Sequence, residues 1–134
     1  MTNPAQDKPN TYTHQDQPSF SFRYPTPSQW LAEETAPGTI QFRPKDQATQ
    51  TLTTMTVEIV ETKINRAEIK ELKINPQNIE FFELAMNEGK SQSISFLMGE
   101  YLIRITLLND QYQLKGNVFP EIIESFSALS GESN

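Results

Sequence analysis

Cysteine is absent from the 134 residues, and there is one histidine, His14. The first absence removes thiol nucleophiles, disulfides and thiolate metal sites. The second leaves no multi-histidine metal site and only one imidazole to act as a base. The five glycines follow no phosphate-cradling spacing. No apolar run reaches the roughly 20 residues a membrane helix needs. The N-terminus lacks the basic-then-apolar shape of a secretion signal. Basic residues are few: eleven Lys and Arg against seventeen Asp and Glu give a formal charge of −6, with no basic cluster. That balance argues against nucleic acid as a partner.

What is present is enough for one domain. Eight Phe, four Tyr and one Trp supply bulk for a core, and a chain of this length buries about two-thirds of its unfolded surface. Residues 1–17 carry few apolar side chains among Pro, Gln, Asn, Asp and Thr, so they read as a disordered polar leader, with His14 a solvated tail histidine, the alternative being an accidental metal contact. The folded unit is expected over 18–130, with 131–134 a free tail.

Alternation marks the strands. Phe20, Phe22 and Tyr24 alternate with Ser19, Ser21 and Arg23, and Pro25 ends that strand. Residues 26–30 read as a turn or a single helical turn that brings Trp30 to one end of the core. A Pro37-Gly38 turn leads into Ile40 and Phe42, closed by Pro44. The stretch from Thr51 to Glu61 is β-branched, with Met55, Val57 and Ile59 on one side. Asn65 with Glu68 suggests a capping box and a short helix over 65–73, and residues 75–78 read as a turn.

Met98-Gly99-Glu100-Tyr101 has the form of a two-residue hairpin turn, which sets Ile94, Phe96 and Met98 on one face with Tyr101, Ile103, Ile105 and Leu107. A three-residue loop at Asn87-Glu88-Gly89 would place Phe82 opposite Ile94, so that Phe82, Leu84 and Met86 join that face. The result is a meander over 79–86, 91–98 and 101–108. Its cover is a helix from Asn117 carrying Phe119, Ile122, Ile123, Phe126 and Leu129, with Pro120 in the first turn and Gly131 as its stop. That helix reads as core packing, the alternative being a detachable partner-binding helix.

No reactive constellation emerges. The serines have no paired base, and Glu33-Glu34, Glu80 with Glu83 and Glu121 with Glu124 are spaced as solvated charges. No enzyme activity and no cofactor are expected. Two places are candidates for binding. Leu97, Leu102 and Leu108 sit on the wet face of the meander, either packed under a loop or forming an apolar patch for a partner or small ligand. Asn109 and Asp110 form either a plain turn or an oxygen-donor site for a hard cation such as Ca²⁺ or Mn²⁺.

The opening Phe20-Ser21-Phe22-Arg23-Tyr24-Pro25, the following Trp30, the stretch from Tyr101 to Ile105 and the closing Phe119-x-x-Ile122-x-x-Ser125-Phe126 resemble the PsbP-like superfamily. The resemblance implies an α+β fold, an antiparallel meander flanked by helices in an α/β/α sandwich. It also implies an accessory role, in which the domain holds or stabilises a protein partner without catalytic machinery, and it transfers no site residue. Many bacterial relatives are exported or lipid-anchored. The expectation is therefore an extracytoplasmic domain that meets a membrane only through an anchor upstream, and a cytoplasmic one if no signal was removed.

Overall fold

The computed structural model describes residues 10–26, 30–45, 53–61, 63, 65–86, 91–108 and 114–129. Strands β1 (Asn10–His14) and β2 (Phe20–Tyr24) form a hairpin, followed by β3 (Trp30–Ala36), β4 (Thr39–Pro44) and β5 (Thr53–Glu61). After β6 (Lys73–Ile74) comes the meander β7 (Glu80–Met86), β8 (Ser91–Met98) and β9 (Tyr101–Leu108). Helix α1 (Lys115–Ser125) and β10 (Ser127–Ala128) close the described chain. One antiparallel sheet has the order β1-β2-β10, and the larger has the order β3-β4-β5-β9-β8-β7-β6.

This is a mostly antiparallel β architecture, and it corrects the expected helix-flanked α/β/α sandwich. Among the described residues there is one α-helix, and a second sheet shares the covering with it. The core explains why. Tyr12, Phe20, Phe22 and Tyr24 from the small sheet meet Ile40, Phe42, Met55, Ile94, Phe96, Ile103, Ile105 and Leu107 from the large one, while α1 adds Val118, Phe119 and Ile122. Sheet and helix share one layer over the inner face of the larger sheet, and on its outer face Leu97 and Leu102 are buried as well.

The reading of 1–17 as a disordered leader is corrected over residues 10–17. Asn10–His14 pairs with β2 from Asn10↔Tyr24 to His14↔Phe20. Its one large inward side chain, Tyr12, is buried with its ring 5.3 Å from Phe22. The alternation Thr11-Tyr12-Thr13 is short and polar, and it is the partner strand that makes it a strand. Trp30 likewise opens β3, where a turn or a single helical turn was expected.

The hairpin at Gly99 has the expected pairing, Met98↔Tyr101, but β7 is displaced by one residue. Met86 pairs with Ser91, which leaves four residues between the strands where three were expected, and Glu83, not Phe82, lies opposite Ile94. A one-residue slip exchanges the faces of a strand. Phe81 therefore points into the core, 5.7 Å from Phe96, and Phe82 shares the opposite face with Ser95.

The short helix expected over 65–73 contracts to a single 3-10 turn at Arg66–Glu68, with the Asn65 side chain accepting from the Ala67 N–H at 3.1 Å. The closing helix is also shorter than expected. It ends at Ser125 with Pro120 inside it, and Phe126 turns the chain so that Ser127 and Ala128 pair with Ser21 and Phe20. What favours the turn is Phe126 itself, whose ring stacks on Phe96 at 3.9 Å and 2° and on Phe20 at 5.1 Å. The helix is tied to β2 by the Arg23 N–H, which donates to Ser125 Oγ at 2.7 Å, and by an ion pair from Arg23 to Glu121 at 3.1 Å. Gly131, the expected stop, lies outside the described residues.

Candidate functional site

Three connections converge at the hairpin end of the meander. The β8–β9 turn uses Gly99 at φ +64°, a left-handed conformation that glycine adopts without steric cost. The β1–β2 connection runs through Gln15 to Ser19 and contains a cis Gln17–Pro18 peptide. The third is the turn after β6, organised by Asn75. This buried side chain accepts the N–H groups of Gln77 and Ile79 at 2.9 Å and donates to the carbonyls of Ile123 and Phe126, also at 2.9 Å.

Between them lies an open cleft of about 1020 Å³. Pro18, Ile79, Leu97, Met98, Tyr101 and Ala128 supply apolar lining, and Ile74 stands beside them 65% exposed. Gln15, Gln17, Ser19, Asn78 and Glu100 supply polar groups, and Arg66 forms an ion pair with Glu80 within the lining. Such a wall can hold an apolar side chain by removing it from water and orient it through hydrogen bonds at the edge.

His14 is adjacent to this loop but structurally occupied, which corrects its reading as a solvated tail residue. Its ring stacks on Phe20 at 5.2 Å, and its Nδ1–H donates to the Pro18 carbonyl at 2.9 Å. Among the described residues no group of three or more His, Cys, Asp or Glu side chains is placed to hold a metal ion. Nor, among them, is any helix long and apolar enough to cross a membrane.

The three leucines singled out in the sequence share the face turned away from the small sheet but do not converge. Leu97 and Leu102 pair across the hairpin and are only 4% and 9% exposed, with Leu97 part of the cleft wall. Leu108 is 38% exposed at the far end of β9, about 20 Å from Leu102 at the usual strand rise. Asn109 and Asp110 lie outside the described residues. Sequence reasoning missed the contributions of Gln15 to Ser19 and of Ile74 and Asn75. The available signal for the first was the alternation at Thr11-Tyr12-Thr13 just before Pro18. For Asn75 there was only its place before a proline.

No protein-family model matches the chain, and no curated protein does. Among solved structures, a crystallised protein from Bacteroides thetaiotaomicron VPI-5482 aligns with 86% of this chain at 19% identity and a TM-score of 0.44. The chain spans about half of that protein's length, 47%. A likeness at this level carries no argument about function.

Proposed function

We propose that this chain is a non-catalytic binding module that holds a segment of a protein partner in the cleft at the β8–β9 end. The observation that carries the reading is Ile74. A large apolar side chain, mostly exposed, stands on a two-residue edge strand on the same face as Glu80 and Leu97, and it lines one cleft with Ile79, Met98 and Tyr101, which lie on the other face at the end of the sheet. Covering such a wall is favourable by roughly 25 cal/mol per Å² of apolar area removed from water. The surrounding amides and the Arg66–Glu80 pair suit recognition of a polypeptide, which brings its own donors and acceptors.

The accessory role agrees with the PsbP-like resemblance. That resemblance adds little weight, because the helix-flanked fold it implied is not the architecture of this chain. An extracytoplasmic setting belongs to the same proposal, and fractionation of native cells tests it.

A second reading, a carrier of a small apolar ligand, is favoured by the cleft's volume, which lies near the upper end of the roughly 300–1,000 Å³ usual for ligand pockets. Its cation variant has no described donor set to rest on. One comparison separates the two. Ile74→Glu, an exposed change that leaves the core alone, should abolish recovery of a stoichiometric partner from native extract, and Glu68→Lys on the exposed 3-10 turn should not. Equal recovery with Ile74→Glu would remove the protein-binding reading. A thermal shift with apolar ligands in its place would favour the carrier.

A further inference from the structure

The larger sheet has a second interactive feature at its other edge. Among the described residues β3 is the terminal strand, seven residues long with no proline, and Leu31 and Glu33 to Ala36 are exposed along it. A terminal strand presents backbone N–H and C=O groups on its outer side, a template for one more strand.

The charges on β3 determine which strand fits. Glu33 and Glu34 are consecutive, so their side chains point to opposite faces of the sheet. Neither forms an ion pair with a described residue. A second copy of this chain is a poor occupant. Antiparallel self-pairing about any two-fold between Ala32 and Thr35 sets the glutamates of the two copies directly opposite or diagonally across from one another, where like charges repel. The irregularity between Glu34 and Ala36 further disturbs a self-matched register. The charges therefore suit a heterologous strand carrying opposite charge on both faces better than a second copy.

We infer that β3 takes an added antiparallel strand from a protein segment with two consecutive basic residues, which lie opposite Glu33 and Glu34. The inference is independent of the cleft, because β3 and the β6 edge that carries Ile74 lie at opposite ends of the sheet.

The probe is a fluorescein-labelled seven-residue peptide in which a Lys-Arg pair is flanked by Thr and Val, titrated with the full chain at low ionic strength. Three comparisons accompany it: the same peptide with Glu-Glu for Lys-Arg, the Lys-Arg peptide N-methylated at alternate residues, and the Glu33→Lys/Glu34→Lys chain. The expected result is binding that weakens with salt, a loss of roughly tenfold or more for each comparison, and amide shift changes confined to β3 and β4. N-methylation tests strand addition without altering the protein, so a misfolded variant cannot decide the outcome. Absence of binding, equal binding of the N-methylated peptide, equal binding by the charge-reversed chain, shifts centred on the cleft, or dimerisation through β3 without peptide would each overturn the inference.

Discussion

Asn75 holds Phe126 in place: its Nδ2 donates to the Phe126 carbonyl at 2.9 Å, and the same nitrogen donates to the Ile123 carbonyl at 2.9 Å. Both acceptors lie at the C-terminal end of α1, where carbonyls have no partner within the helix. The Asn75 Oδ1 meanwhile accepts the N–H groups of Gln77 and Ile79. One buried amide thus closes a cleft-lining turn and anchors the end of the helix.

Replacing Asn75 should therefore cost more than an ordinary turn substitution. Asn75→Ala leaves buried backbone groups without partners and is expected to cost about 2–4 kcal/mol. Asn75→Asp keeps the acceptors for Gln77 and Ile79 but sets an oxygen against two carbonyls, and it should cost at least as much. Urea denaturation with an unchanged slope checks both.

Phe126 is the joint between helix and sheets, with Phe96, Phe20 and Phe22 all within stacking distance. Phe126→Ala is expected to destabilise the chain by about 3–5 kcal/mol, and Phe126→Leu by less, because leucine refills part of the cavity. Calorimetric or denaturant unfolding of the pair reads the difference.

Among the described residues two glycines have positive φ, but the surroundings differ. At Gly99, φ +64°, an added Cβ would meet nothing within 4 Å, whereas at Gly38, φ +80°, it would sit 3.1 Å from the Val57 carbonyl oxygen. Gly99→Ala should cost only the left-handed backbone penalty, about 1–2 kcal/mol. Gly38→Ala should cost more, because it also pushes on the strand whose Val57 N–H donates to the Gly38 carbonyl at 2.8 Å. The order of the two melting temperatures checks this.

Burial, and secondarily the nearby charge of Glu34, pushes the phenols of Tyr12 and Tyr24 above their ordinary value of 10.0. The folded state keeps these protons where the unfolded chain gives them up. The contribution to stability is therefore fully present below about pH 10 and falls as pH rises above it. Ultraviolet titration of tyrosinate should show Tyr12 and Tyr24 ionising late. Glu34→Gln should lower both only in part, since burial remains.

The sequence was most legible where strands alternate and a turn type fixes the register. Met98-Gly99-Glu100-Tyr101 sets the pairing of β8 with β9, and the inward faces of β2, β4 and β5 follow from Phe20, Ile40 and Met55. It misled where one residue of loop length decides a face, as between Met86 and Ser91, and where a strand forms only because a partner exists, as at Asn10–His14. The site was less legible than the fold. Leu97 could be identified from alternation, but Asn75 and Ile74 matter through contacts with helix and cleft that no local pattern records.

The most direct test is hydrogen exchange on the chain with and without its purified native partner. The account predicts that amides at 15–19, 74–80 and 97–101 slow together on binding, and that Ile74→Glu abolishes the slowing. Protection confined to other segments, or unchanged protection in the Ile74→Glu chain, would contradict it.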